Sequence, residues 1–211
     1  MAERAELPSP ASFETLVAWR RDVRRFKTGP IDAELFAHLL DVANLAPSVG
    51  NSQPWRIVQV ESPDRRQAVR ANFEAANAAA AKRYDEARGA QYCNLKLAGF
   101  DRAPVHLAVF CDPDPVRGHG LGRQTMAEAL DYSCVGYITI LWLLARTHGV
   151  GLGWVSILET AELNRLLDVP ADWRFIGYIL MGYPEEEHED PELVRHGWQA
   201  RGNIADRLFL R

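Results

Sequence analysis

The segment GYITILWLLARTHGVGLGWVSI, residues 136–157, joins an apolar helical pattern to a short strand pattern through a glycine-rich turn. Its first part is apolar on almost every helical face, which in a globular protein indicates burial in the middle of the fold or at a subunit interface. Its last part, residues 152–157, predicts a strand. We expect the helix to run from about residue 125 to 148 and to lie either in the middle of the fold or at a subunit interface.

Three further strand patterns lie on either side of this segment: WRIVQV at 55–60, VHLAVFCD at 105–112 and FIGYILMGY at 175–183. Each is rich in the β-branched and aromatic residues that strands favour. Helical patterns lie before and between these strands. A first helix precedes residue 20, and a second is capped by Asp32 and stops by Pro47. An Ala-rich helical region covers 63–97 with a break near Gly89, and a short helix lies near 160–168. Helices around a small sheet, with no internal repeat or linker, predict one α/β or α+β domain.

The overall composition excludes several functional classes. The chain has 211 residues, 47% of them hydrophobic, and a net charge of −4 with a pI near 5.9, which is unlike the basic footprint of a nucleic-acid binder. The longest uncharged apolar run, residues 132–145, is shorter than the roughly 18 residues that a membrane span needs. The first residues show no secretory signal pattern. We therefore expect a cytoplasmic protein that binds neither nucleic acid nor membranes.

Common catalytic and metal motifs are missing from the sequence. The three cysteines are widely separated and form no CxxC pair, and the six histidines show no metal-ligand spacing, so no metal site is predicted. The glycine-rich stretches at 118–122 and 149–153 lack the dinucleotide GxGxxG spacing and a Walker lysine. DYSCVG, residues 131–136, is not a serine-hydrolase nucleophile elbow.

The segment RRDVRRF, residues 20–26, holds four arginines and one aspartate in seven positions. On a continuing helix the arginines would form like-charged i,i+4 pairs, which cost a few tenths of a kcal/mol each. The segment is either a solvated helix end, where cations meet the negative pole of the dipole, or a site that holds an anion. We expect the helix to end near Arg21, because an unbroken helix would place Asp22 about 160° from Arg24.

Two other stretches carry polar groups beside glycines. PSVGNSQPW, residues 47–55, crowds the side chains of Ser48, Asn51, Ser52 and Gln53 around Gly50, which suits either a planar heterocycle or an ordinary helix-to-strand turn. GLGWVSI, residues 151–157, places Ser156 at a strand position after two glycines that permit close approach of a ligand. The alternative is that the serine hydroxyl only bonds to backbone, which is the more frequent case for a buried serine.

These motifs together resemble those of the nitroreductase-like flavoprotein superfamily, through the Arg-Arg-x-x-Arg segment, the APSVGNSQPW loop and a basic residue near the C-terminus, here Arg201. The resemblance implies an α+β nitroreductase fold, in which helices flank a central, mainly antiparallel sheet within a domain-intertwined homodimer. It also implies one domain over residues 1–211, with a C-terminal extension from about 184 to 211. The basic cluster would hold the phosphate and ribityl arm of FMN.

Asp22 narrows the choice of family within this superfamily, because ordinary nitroreductases usually have serine at that position. RRDVR, GLGRQTM (120–126), LWLLARTHGVGLGWVSIL (141–158) and MGYPEE (181–186) are together similar to the 5,6-dimethylbenzimidazole synthase family. In that family reduced FMN is the substrate: O2 adds to it, and the ring is fragmented to 5,6-dimethylbenzimidazole, the lower ligand of vitamin B12, with release of erythrose 4-phosphate. A flavin reductase partner would supply the reduced FMN, with NAD(P)H as an indirect reductant. Asn51 differs from the bulkier residue typical of the synthases.

The resemblance implies roles for individual residues. Asp22 and Ser156 correspond to catalytic residues: Asp22 can move protons during ring breakdown, and Ser156 can form a hydrogen bond at the flavin edge. The implied FMN-binding residues are Arg20, Arg21, Asp22, Val23, Arg24, Ser48, Gly50, Gln53, Pro54, Leu95, Gly153, Trp154, Val155, Ser156 and Arg201. Two alternatives stay open, an NAD(P)H-dependent FMN nitroreductase that retains its flavin and a flavin-binding or storage protein.

Overall fold

A four-stranded antiparallel sheet lies at the centre of the computed structural model, which describes residues 9–94 and 99–211. Its strands are β1 (Trp55–Gln59), β2 (Val105–Cys111), β3 (Gly151–Val155) and β4 (Arg174–Gly182), in the order β1-β2-β4-β3. Each neighbouring pair is antiparallel. The four predicted strands and the α+β class are therefore confirmed.

Helices surround this sheet and match most of the predicted pattern. They are α1 (Pro10–Trp19), α2 (Ala33–Ala43), α3 (Pro63–Ala81), α4 (Glu86–Asn94), α5 (Gly99–Arg102), α6 (Ala129–Thr147), α7 (Thr160–Leu167) and α8 (Glu192–Arg195). Short 3-10 helices cover Val49–Asn51 and Ile204–Arg207. Asp32 caps α2 as predicted, since its carboxylate accepts a hydrogen bond from the Leu35 N–H. None of the helices in the described ranges is long and apolar enough to cross a membrane.

Two predicted helix boundaries were wrong. The Ala-rich region breaks at residues 82–85, and Gly89 lies inside α4. Helix α4 begins after this break because the Asp85 carboxylate accepts a hydrogen bond from the Arg88 N–H at 2.8 Å, which satisfies a free donor in the first turn of α4. The long central helix begins at Ala129, four residues later than predicted, because residues 118–125 form a series of turns with several glycines at positive φ.

Apolar side chains cover both faces of the sheet, and strand β2 is buried along its whole length. Leu107 and Val109 pack towards the layer that contains α2 and α6, whereas Ala108 and Phe110 pack towards the layer of α3 and α7. This alternation follows from the two-residue period of a strand. The helix α6 therefore packs against one face of the sheet and ends beside its edge strand, β3.

The arginine-rich segment leaves α1 at Arg20 and continues as extended chain, which confirms that the helix ends near Arg21. We call residues 20–26 the arginine strap. Asp22 forms a parallel bridge with Leu152 of β3, and Phe26 forms an antiparallel bridge with Pro184. The strap lies so close to β3 that a Cβ atom on Gly153 would overlap the Val23 carbonyl oxygen. The glycines of β3 thus allow the strap to cover the edge of the sheet.

Candidate functional site

The charged side chains of the strap point to two sides, because successive residues of an extended chain point in opposite directions. Asp22 and Arg24 meet on one side, where Arg24 Nε lies 3.3 Å from Asp22 Oδ2. Arg21 and Arg25 point to the other side, where Arg21 donates to the Glu189 carbonyl and Arg25 Nε lies 2.6 Å from Glu186. The four arginines therefore have different environments.

The Asp22 carboxylate is held by two donors and is only partly exposed. Its Oδ1 accepts a hydrogen bond from the backbone N–H of Trp154 at 2.9 Å, and its side chain is 37% exposed. Burial raises the pKa of Asp22; the Trp154 N–H and Arg24 oppose this rise, and Glu192 adds to it. A carboxylate with a raised pKa and a fixed orientation can exchange protons with a bound ligand.

Strand β3 places its predicted residues beside Asp22. Gly153 and Val155 are buried, and Trp154 packs its ring 6.4 Å from that of Trp142. Ser156 lies one residue beyond the end of β3 rather than within it, because the chain turns there with the Leu158 N–H bonded to the Ser156 carbonyl. The turn leaves the Ser156 side chain exposed, two residues from the N–H group that holds Asp22.

Three arginines, Arg20, Arg21 and Arg201, are close enough at the N-terminal end of the strap to affect one another electrostatically. Arg20 lies 4.7 Å from the centre of the Trp142 ring, and Trp142 donates its indole N–H to the Arg21 carbonyl at 3.1 Å. Burial lowers the pKa of Arg20, as does the positive charge of Arg201, although Asp22 opposes both effects. Burial lowers the pKa of Arg21 as well, and Arg20 and Arg201 add to that shift. Such a concentration of positive charge favours the binding of an anion.

The predicted loop, residues 47–55, is held by several hydrogen bonds and contains residues with strained backbone angles. The Ser48 hydroxyl accepts a hydrogen bond from the Gln53 N–H at 3.0 Å. Asn51 and Gln53 both have positive φ values, which are uncommon for residues other than glycine and often mark functional loops. The Gln53 amide is fixed by Asn51 at 3.0 Å and by Arg117 at 2.6 Å.

The loop and the strap attach to different parts of α6 within one chain. The Val49 N–H bonds to Ser133 near the start of the helix, whereas the strap is held by Trp142. These two positions are nine residues apart, or about 13 Å along the helix axis. A small cavity of about 50 Å³ beside the strap is lined by Trp19, by strap residues 21–25, by Trp142 and Arg146 of α6 and by the segment 184–195, but by none of the loop.

The structure thus brings together most of the predicted site residues, but not all of them. Those that it assembles are Arg20, Arg21, Asp22, Val23, Arg24, Gly153, Trp154, Val155, Ser156 and Arg201. Ser48, Gly50, Gln53 and the buried Pro54 form a separate cluster. Leu95 lies outside the described residues.

Three residues near these clusters were missed from the sequence. Trp142 lies within an apolar helix. The only sequence signal of its role was its indole N–H, because a buried indole N–H needs a hydrogen-bond acceptor. Arg117 is a lone cation in a Gly/Pro/Asp loop. Glu192 lies in the acidic segment PEEEHEDPE, residues 184–192, whose run of carboxylates in the sequence is typical of a solvated loop. That segment instead pairs with arginines: Glu187 binds Arg146 through two contacts of 2.8 and 2.9 Å.

Comparison with known proteins identifies the family. A family model described as the nitroreductase family matches residues 17–183. A 5,6-dimethylbenzimidazole synthase from Rhodospirillum rubrum is 52% identical over 90% of each chain. A second, from Rhodobacter capsulatus, is 47% identical over 87% of this chain and 89% of its own length.

Solved structures show the same fold at lower sequence identity. Iodotyrosine deiodinase, solved with bound FMN and 3-iodo-L-tyrosine, has a TM-score of 0.72 at 21% identity over 94% of this chain and 97% of its own. A nitroreductase-like protein from Bacillus cereus has a TM-score of 0.68 at 20% identity, and the match covers 98% of this chain and 99% of the other. With the two synthases matched over nearly their full length, the chain belongs to the nitroreductase family and, within it, to the family of 5,6-dimethylbenzimidazole synthases.

Proposed function

We propose that this protein converts reduced FMN and O2 into 5,6-dimethylbenzimidazole and erythrose 4-phosphate. The observation that carries the proposal is Asp22, a carboxylate with a raised pKa that is fixed beside β3 where ordinary nitroreductases usually have serine. The two synthases that share about half of this sequence support the same reaction.

The residues of the strap fit an FMN molecule. The convergent guanidinium groups of Arg20, Arg21 and Arg201 suit a phosphate dianion, which arginine binds through paired hydrogen bonds. Arg21 Nε is buried and has no hydrogen-bond partner among the described residues, so a donor is available there. The space beside Gly153 is filled by the Val23 carbonyl, so this glycine holds the strap against β3 and fixes the position of its arginines rather than leaving room for the ligand. Reduced flavin would supply the electrons that activate O2.

The side chains around Asp22 would orient it and tune its proton transfer. Asp22 takes a proton from the reacting ring system and returns it, which requires a pKa nearer the working pH than that of an ordinary aspartate. The Trp154 N–H and Arg24 keep the carboxylate in one orientation during both steps. Ser156 is exposed at the end of β3 and forms one hydrogen bond at the ring edge.

A homodimer would complete the site. Helix α6 exposes an apolar stripe, Tyr132, Val135 and Ile140, on the side that faces away from the core. The loop that carries Ser48, Gly50, Gln53 and Pro54 is distant from the strap of its own chain along α6, so it would face the flavin bound to the second subunit. The intertwined arrangement also gives a role to the exposed apolar tail, Ile204 and 208–210.

The chain would form one domain with an extension. The family model ends at residue 183, which supports an extension over residues 184–211. We place the protein in the cytoplasm, where Cys111 and Cys134, both buried and free of disulfides, remain reduced. A separate flavin reductase would deliver reduced FMN there, so that NAD(P)H acts only indirectly.

The decisive experiment is to mix the purified protein with reduced FMN in air and to analyse the products by mass spectrometry. We expect 5,6-dimethylbenzimidazole and erythrose 4-phosphate in equal amounts, and neither product when oxidised FMN replaces reduced FMN. Complete recovery of FMN after simple reoxidation would replace the proposal with an NAD(P)H-dependent nitroreductase. Reduced flavin that stays bound and protected would indicate a storage protein.

A further inference from the structure

Glu192 is a largely buried carboxylate that shares an arginine with Asp22. It is the first residue of α8, and its side chain is 12% exposed. Its Oε2 lies 3.7 Å from Arg24 Nε, the same nitrogen that lies 3.3 Å from Asp22 Oδ2. The Arg24 guanidinium, itself only 13% exposed, therefore lies between two carboxylates.

The other charged groups near these carboxylates are few. Asp22 faces Arg20 and Arg24 from its own strap and Glu192 from α8, and β3 contributes only the backbone N–H of Trp154. Glu192 also lies 3.9 Å from Arg25 Nη2 and 3.7 Å from His196 Nε2. Charge at Glu192 thus reaches Asp22 through one shared guanidinium.

The shared arginine has a predictable electrostatic effect. Glu192 attracts Arg24 and so weakens the hold of Arg24 on the charged form of Asp22, and its own negative charge disfavours that form directly. Both effects make Asp22 easier to protonate. Removal of the Glu192 charge would leave Arg24 to pair with Asp22 alone.

We propose that Glu192 is a positioning residue that holds Arg24 between two carboxylates and thereby sets the protonation of Asp22. The electrostatic part of this inference stands on the geometry of the chain alone. Its catalytic consequence rests on the proposed function, because only there does Asp22 transfer protons.

A direct titration of Asp22 tests the electrostatic part. The flavin-free protein is labelled with 13C at the aspartate carboxyl carbons, and the Asp22 resonance is assigned by its loss in Asp22→Asn. We expect Glu192→Gln to move the titration midpoint of Asp22 to lower pH, and Glu192→Asp, which keeps the charge, to restore most of the wild-type midpoint.

Glu186→Gln is the matched control, since it also removes a carboxylate from the acidic segment, but one that pairs with Arg25 on the other side of the strap. It should leave the Asp22 midpoint unchanged. An unchanged midpoint in Glu192→Gln, or an equal change in Glu186→Gln, would refute the proposal. Circular dichroism of each variant verifies folding.

The catalytic part is tested by the pH profile of a single turnover from bound reduced FMN. Glu192→Gln should move the acidic limb to lower pH and slow the plateau about two- to fivefold, as expected when a neighbouring charge is removed from Asp22, which is itself 37% exposed. A profile identical to wild type would remove the catalytic role. If the wild-type protein forms no benzimidazole, the proposed function fails, whereas the titration still decides the role of Glu192.

Discussion

At the scale of single residues, Asp22 shows how an extended backbone makes a site. The same seven residues on a helix would have spread their charges around its axis, whereas the extended strap puts Asp22 and Arg24 side by side. The acceptor for the Trp154 N–H is then a carboxylate rather than a neighbouring strand. The edge of the sheet thus becomes part of the site.

Replacement of Asp22 tests its proton transfer. Asp22→Asn should leave folding and FMN affinity unchanged, because the amide oxygen still accepts from the Trp154 N–H. Benzimidazole formation should fall at least about 100-fold, the lower end of general acid–base contributions. The measurement is the single-turnover yield from pre-bound reduced FMN, after flavin affinity is matched by fluorescence quenching. Ser156→Ala should cause a smaller loss. Product at the wild-type rate in Asp22→Asn would end its catalytic assignment.

Gly153 is a second residue whose effect is predictable from contact geometry. Gly153→Ala should reduce the free energy of unfolding by about 1–3 kcal/mol, as overpacking does, because its methyl group would displace the Val23 carbonyl and with it the strap. FMN binding should weaken in parallel. Urea unfolding measures the first effect, with Gly29→Ala as control because nothing lies within 4 Å of its added Cβ. Equal stability of the two variants would contradict the close packing of strap and strand.

At the scale of elements, α6 has one side in the core and one exposed apolar side, a distinction that its sequence pattern left open. One side of the helix contributes Tyr137, Ile138 and Leu141 to the core. The other side exposes Tyr132, which retains 59% of its accessible surface, along with Val135 and Ile140. Apolar side chains in such a continuous stripe are typical of an interface.

A charge placed in this stripe tests the dimer. Ile140→Glu should convert the protein to a monomer in size-exclusion chromatography with light scattering, because a carboxylate in an apolar interface is costly to desolvate. Flavin affinity should fall with it, since the two clusters of site residues would no longer meet. Gln67→Glu, on the exposed face of α3, adds the same charge away from the stripe and should change neither property. A monomer that binds FMN like the wild type would place the whole site in one chain.

At the scale of the whole molecule, a buried histidine makes stability depend on pH. His106 lies in β2 with no exposed surface, and its Nδ1 lies 3.0 Å from the Tyr178 hydroxyl. Burial lowers the pKa of His106 from 6.5 to about 4, and the nearby Arg66 adds to the effect. Since the unfolded chain binds a proton between these pH values and the folded chain does not, stability falls as the pH drops from 6.5 to 4.

The free energy of unfolding should be about 3 kcal/mol lower at pH 4 than at pH 7 because of His106. His106→Gln, which cannot titrate, should lose correspondingly less stability over this range in urea unfolding. His119→Asn is the control: it removes an exposed histidine, and asparagine tolerates the positive φ at that position. If His106→Gln and wild type show the same pH dependence, His106 does not become protonated on unfolding.

Local sequence patterns predicted most of the secondary-structure elements and many residues of the candidate site. Strand and helix periodicity are local properties, and so is the Asp32 cap, which explains why the four strands and α2 were predicted correctly. The end of α1 near Arg21 followed from helix geometry, because an unbroken helix would place Asp22 about 160° from Arg24. The motif residues Asp22 and Gly153–Ser156 could likewise be found in the sequence, and the structure brings them together.

Which acidic side chain forms an ion pair with which arginine depends on the tertiary structure. Glu186 pairs with Arg25 and Glu192 with Arg24 because the chain after β4 returns alongside the strap, and these residues are more than 160 positions apart in sequence. The same return places Pro184 opposite Phe26. A local pattern records that a segment is acidic but not which cations it approaches, since that depends on strand order and on the packing of α6. The acidic segment therefore looked solvated in the sequence and forms ion pairs with the strap in the fold.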